Sequence, residues 1–264
     1  MPLWAYQMST LTLALLMVTV IEVVSLLGLF FTRRFVLPHL RFHDGVNDAI
    51  SGTVQAIGVF YGITVGLIAV GVWNTNSNAA DLVSREAAEI GSLYRDVSGY
   101  PMPVRDELRG QLRDYTVFVI DQSWPAQQQG RVANGGTKIL DEFQQTLHTF
   151  EPKTPGQTSL HGETLSAFNK LIEYRRLRID AVESGLSSVM WAVIWVGAAI
   201  SIGVAYLYRI EDPKIHGILV FLMAGFLGIV LFMIVINDKP FFGSDSISPE
   251  PYRIILERLI QASP

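Results

Sequence analysis

No cysteine occurs in the 264 residues, which excludes a disulfide framework, a thiolate nucleophile and a cysteine metal site. Charge is scarce as well. Asp, Glu, Lys and Arg make up 17% of the chain, against roughly 25% in a typical soluble domain. Half of the side chains are hydrophobic, a balance that excludes a soluble single-domain enzyme. Basic residues are outnumbered 20 to 24. Neutralising nucleic-acid phosphates needs a basic face, so nucleic acid is not an expected partner. The histidines, His39, His43, His148, His161 and His216, lack metal-ligand spacing. No nucleophile elbow, phosphate-cradling glycine loop or His-Glu-x-x-His motif occurs. Hence no catalytic residue, metal or cofactor is expected, and the chain is not read as an enzyme.

What is present is length of apolar sequence. Four runs stand out: Leu11 to Phe31, Ile50 to Val72, Leu186 to Tyr208 and Ile215 to Ile236. Each has 21 to 23 residues, and about 20 at 1.5 Å per residue cross a hydrocarbon core of about 30 Å. Met1 to Thr10 contains no Lys or Arg, so the first run reads as a retained helix and not as a cleaved signal.

Between the second and third runs lies a long insertion whose 112 residues from Asn74 to Gly185 carry 15 acids and 12 bases. That is the charge density of a soluble domain. The expected organisation is therefore 1–73 with spans at about 11–31 and 50–72, then a soluble helical domain at 74–185. Next comes 186–236 with spans at about 186–208 and 215–236, and last a tail at 237–264 with a short amphipathic helix. The fold class is all-α: a membrane protein of four transmembrane helices with a helical bundle inserted between spans two and three. Both termini then share a side with the bundle. Arg33, Arg34, Arg41, Arg209 and Lys214 in the short loops face seven bases near the membrane on the other side, a ratio that does not fix orientation.

Within the insertion, Val83, Ala87, Ile90, Tyr94 and Val97 form a heptad stripe able to continue span two without a break. A second stripe runs Val104, Leu108, Leu112, Tyr115, Val119. A third helix is expected over about Lys138 to Phe150. The fourth places Leu165, Phe168, Ile172, Arg175, Ile179 and Val182 inward and runs into span three. Arg175 at an apolar position needs a carboxylate, and Glu86 or Glu89 is the natural partner. The tail helix carries Tyr252, Ile255, Leu256 and Leu259 on one face and reads as docking on the bundle.

Span two carries the most informative pattern. Gly58, Gly62 and Gly66 recur at i+4, a strip suited to close helix approach, with intramolecular packing as its ordinary reading. Another stripe, Thr53, Ile57, Phe60, Thr64, Leu67, Gly71, Asn74 and Asn78, points to lipid, to another helix or to the axis of an oligomer. The two threonine hydroxyls favour the axis, where Phe60 and Leu67 would form a hydrophobic neck. Glu22, the lone acid within a span, is either an ion or proton site or a neutral carboxyl bonded to another span.

Several of these residues resemble, in order, the bestrophin-like family of bacterial membrane proteins. They are Asn47-Asp48, Gly58-Val59-Phe60-Tyr61, Trp73, Ser84-Arg85-Glu86-Ala87, Leu93-Tyr94, Tyr115, Ser123-Trp124-Pro125, Arg175-Arg176-Leu177-Arg178, Trp191, Asp238-Lys239-Pro240-Phe241 with Gly243, and Ser248-Pro249-Glu250-Pro251. The resemblance implies a four-span protomer, a homo-oligomer around span two (a pentamer by analogy with bestrophins), a helical cytoplasmic domain and passive ion permeation, usually of anions. The expected protein is thus a multi-pass channel of the bacterial inner membrane, with lipid, its own copies and inorganic anions as partners. The rival is a non-conducting scaffold or sensor whose soluble bundle binds a partner protein. A secondary transporter would show broken helices or repeated halves, and neither is visible.

Overall fold

The computed structural model describes residues 8–40, 45–243 and 246–261. Arg41 and His43 lie outside these, as does the side chain of Leu259. All regular structure among the described residues is helical: α1 Thr10–Phe31, α2 Val46–Val97, α3 Val104–Phe118, α4 Trp124–Gln127, α5 Gly136–Thr149, α6 Pro155–Val182, α7 Ser188–Ala205, α8 Pro213–Asp238 and α9 Glu250–Ile255, with short 3-10 and π turns. Four of these helices (α1, α2, α7 and α8) are long and apolar enough to cross a membrane. The chain divides into two compact units, Met1–Thr75 with Gly185–Asp238, and Asn76–Ser184 with Lys239–Pro264.

The first unit contains α1, α7, α8 and the first half of α2. Ser9 and Ser187 start α1 and α7 by accepting hydrogen bonds from Thr12 N and Met190 N, each at 3.3 Å, which satisfies amides that a helix start leaves unpaired. In lipid the association of helices rests on close fit, since the solvent is itself apolar. Here the small residues of α1, α7 and α8 supply it. A Cβ on Gly228 would lie 3.2 Å from Val18 Cα, and the Tyr206 hydroxyl occupies the space above Gly28. Gly197 lies directly under the Tyr61 ring, whose hydroxyl donates to Ile194 O at 2.9 Å. Tyr61, Val65, Ile68 and Val72 of α2 complete the core with Leu13, Ile194, Leu231 and Ile234.

The second unit is built as the heptad stripes require. Val83, Ala87, Ile90, Tyr94 and Val97 are all buried, as are Leu108, Leu112, Tyr115 and Val119. They pack with Leu140, Phe143 and Leu147 of α5 and Phe168 and Leu171 of α6. Burying each large apolar side chain stabilises by about 1.5–3 kcal/mol relative to exposure. Two expectations are corrected. The fourth bundle helix does not run into the third span: α6 ends at Val182 and Ser187 caps a new helix. The buried stripe of α6 is also rotated from the one expected, to Thr164, Phe168, Leu171, Arg178 and Val182, leaving Ile172 exposed. The tail belongs to this unit, with Tyr252 in its core and Trp124 Nε1 donating to Ile247 O at 2.9 Å.

Candidate functional site

α2 is apolar on most of its circumference through the first unit, yet only one face is used by its own chain. Tyr61, Val65, Ile68, Ala69 and Val72 are buried, while Val59, Phe60, Ile63, Leu67, Val70 and Trp73 are exposed. Phe60 and Leu67 are the extreme cases, at 73% and 69%. The stripe expected to face an axis, Thr53, Phe60, Thr64, Leu67 and Asn74, lies on this free side, with Ile57 half-buried. Asn78, further along the same helix in the second unit, is exposed too.

Two sequence arguments about this helix need correction. Gly58, Gly62 and Gly66 do not pack within the chain: a Cβ on any of them would meet nothing within 4 Å. Close packing inside the protomer falls instead to Gly197 and Gly228, so the span-two glycines remain on an open surface. The threonine hydroxyls also fail to discriminate an axis from lipid. Thr53 donates to Ala49 O at 2.9 Å and Thr64 to Phe60 O at 2.8 Å, so each is satisfied by its own helix four residues earlier.

Glu22 sits in a notch made by glycine. A Cβ on Gly225 would stand 2.8 Å from Glu22 Oε1. The carboxyl is half-buried, and the hydrogen bond to another span that the structural reading requires is not formed among the described residues.

In the second unit the ion pair expected for Arg175 is made by Arg178. Arg178 Nε donates to Glu86 Oε2 at 2.6 Å and Nη2 to Oε1 at 3.2 Å. Both side chains are sealed, at 1% and 0% exposure. Arg175, half-buried, donates to Thr137 Oγ1 at 3.0 Å instead. The rotated stripe of α6 is the reason, because it turns Arg178 inward and Arg175 to the flank. Tyr115 donates to Glu86 Oε1 at 2.6 Å, and the guanidinium carbon stands 5.7 Å from the Trp124 ring centre and 6.0 Å from that of Tyr252. Burial, then the Glu86 charge, pushes the Tyr115 hydroxyl well above its ordinary pKa. Burial alone would lower Arg178, but the Glu86 carboxylate outweighs it and leaves the guanidinium raised. One carboxylate thus joins α2, α3 and α6 through charge-assisted bonds, and the arrangement is structural: every group in it is turned inward.

Two further features escaped the sequence reading. Tyr61 is the residue that fixes α2 on α7. His216, one of the five histidines without metal-ligand spacing, is 1% exposed, with Nε2 3.1 Å from Ala205 O and Nδ1 3.1 Å from Arg33 Nη1. A helical stretch of apolar character gives no signal for either.

A family model of the bestrophin-like domain matches residues 19–252. No curated protein matches. Among solved structures, a single-substitution variant of a bacterial bestrophin homologue from Klebsiella pneumoniae aligns with a TM-score of 0.67 at 9% identity, covering 97% of this chain and 98% of that one. A second variant of that homologue gives 0.64 at 8% identity over 94% and 96%. A structure described as a membrane protein gives 0.64 at 8% over 96% and 98%. At such identities the likeness is one of fold, and it spans both units. With the family model covering most of the sequence, the chain belongs to the bestrophin-like family.

Proposed function

We propose that the protein is a bestrophin-type ion channel, a homo-oligomer assembled around α2 with the Thr53 to Asn78 stripe lining a passive pore. The observation that carries this reading is the uncovered side of α2. An apolar helix buried on one face by its own chain leaves Phe60, Leu67 and the three glycines for something else. Glycines with open space suit close approach by a second copy. Phe60 and Leu67 then project as rings that gate by dewetting. The remaining elements of the proposal, anions as the permeant species, five subunits, and an inner-membrane location with the soluble unit and both termini in the cytoplasm, rest on analogy with bestrophins.

The test is current across a planar bilayer containing the purified protein under an asymmetric KCl gradient. Discrete currents with a reversal potential on the chloride side are expected. Silence over a wide voltage range with the oligomer intact would overturn conduction and favour a scaffold. Because the chain has no native cysteine, single cysteines from residue 53 to 78 and a water-soluble thiol reagent report which positions are wet.

A further inference from the structure

Beyond Phe31 the first helix does not stop at the end of its apolar run. It continues through a π turn, Thr32–Val36, and a 3-10 turn, Leu37–His39. This extension mixes exposed apolar side chains, Phe35, Val36 and Leu40, with Arg33 and Arg34. Phe31 and Phe35 lie 4.9 Å apart by ring centre, and the Arg34 guanidinium sits 6.0 Å from the Phe35 ring. Aromatic rings and arginines interleaved at the end of a span belong at a membrane–water boundary.

Beside the extension is a cavity of about 500 Å³, walled by Arg33, Leu37, Leu40, Arg209, Ile210 and Glu211 among others. Its charges are unbalanced. Arg33 donates to Ile210 O at 3.0 Å, to Glu211 O at 3.3 Å and to His216 Nδ1 at 3.1 Å. A guanidinium can only donate, so Nδ1 accepts and His216 donates through Nε2 to Ala205 O. The imidazole is therefore neutral. Arg33 is held rigidly by three acceptors, none of them an anion. Arg209 is fixed differently: its N–H donates to Asn47 Oδ1 at 3.0 Å and its carbonyl accepts from Asn47 Nδ2 at 3.1 Å. Its guanidinium has no hydrogen-bond or ion-pair partner among the described residues. Against these two cations the described residues of the wall offer one carboxylate, Glu211.

We propose that this cavity binds the phosphate of an anionic membrane phospholipid, with the acyl chains against Leu37, Leu40 and the exposed Phe35. Two guanidiniums held on fixed backbone match the planar, multidentate recognition that phosphate oxygens favour. The apolar side chains of Leu37, Leu40 and Ile210 in the wall and the position at the end of a span favour a lipid over a soluble anion. The site is independent of whether the protein conducts.

The test is native mass spectrometry of the full-length protein, titrated with phosphatidylglycerol and, separately, with phosphatidylcholine of the same chains. Bound phosphatidylglycerol should appear at a concentration lower by about tenfold, because phosphatidylcholine offers the same phosphate but adds a quaternary ammonium that two guanidiniums repel. Arg209→Gln should remove that preference and Arg209→Lys keep part of it, while Lys214→Gln, outside the cavity, leaves it intact. Each variant must elute and melt like the parent. Equal retention of the two lipids, or a preference unchanged in Arg209→Gln, would overturn the proposal. Displacement of the lipid by low millimolar inorganic phosphate would also overturn it and mark a site for soluble anions.

Discussion

Glu86 and Arg178, 92 positions apart, meet through two hydrogen bonds of 2.6 and 3.2 Å inside the second unit, out of reach of solvent. Removing one partner leaves the other charge buried and uncompensated, which costs about 3–5 kcal/mol. Glu86→Ala and Arg178→Ala should each lower the unfolding midpoint of the purified protein by that order. The paired change Glu86→Leu with Arg178→Met should recover most of the loss. Arg175→Met should shift stability by about 1 kcal/mol, less than either alanine change, because half-buried Arg175 gives up only its hydrogen bond to Thr137. A larger effect at Arg175 than at Arg178 would refute the pairing.

The glycines divide by location. Gly197→Ala places a methyl group within the Tyr61 ring, which cannot retreat while its hydroxyl is bonded to Ile194 O, so a loss of about 1–3 kcal/mol is expected from overpacking. Gly62→Ala meets nothing within 4 Å of its own chain and should leave the protomer's thermal unfolding unchanged. If α2 is the assembly helix, Gly62→Leu should shift the mass measured by light scattering toward monomer. Retained mass would place the subunit contact elsewhere.

Phe60 and Leu67 are tested by truncation. Each changed to alanine should raise unitary conductance if the two rings form the neck, while Val59→Ala, exposed on the same helix but outside the stripe, should not. Equal currents in all three variants would remove the stripe from the pore.

His161 gives a pH dependence in the second unit. Its Nδ1 lies 2.8 Å from the Tyr100 hydroxyl. Burial, and then His148, pull its pKa below 6.5. The unfolded chain therefore takes up a proton near pH 6.5 before the folded chain does. The stability is complete above that pH and declines as pH falls through 6.5 toward the lower folded value. Urea midpoints at pH 7.5 and 5.5 should differ more for the parent than for His161→Gln. An identical difference in both would exclude His161 as the source.

Much of this architecture could be read from the residues because period and length are local properties. Val83 to Val97 repeats every three or four residues whatever it packs against, and Leu11 to Phe31 is long enough to span by itself. Which face turns inward is not local. In α6, arginines at 175, 176 and 178 sample three directions around one helix, and the choice among them is made by Glu86 on α2 and Tyr115 on α3. In α2 the small residues were conspicuous, whereas the residue that anchors the helix, Tyr61, is one aromatic among several. A glycine marks a place where helices can come close; whether one does depends on a bulky partner such as Tyr61 over Gly197. For Glu22 the sequence marked the acid but not Gly225, whose missing side chain makes room for it.

The pairing of α1 with α8 also sets a timetable for biosynthesis. Gly225 is translated 203 positions after Glu22, roughly 10–40 s later at about 5–20 residues per second. Through that interval α1 resides in the bilayer without the notch that later receives its carboxyl. The insertion penalty of Glu22, about 2.5–3.5 kcal/mol at a span centre, must then be offset by the other residues of α1 alone. The apolar run around Glu22, which has no other charge between Leu11 and Phe31, is the form in which a nascent chain can carry an acid into lipid ahead of its partner.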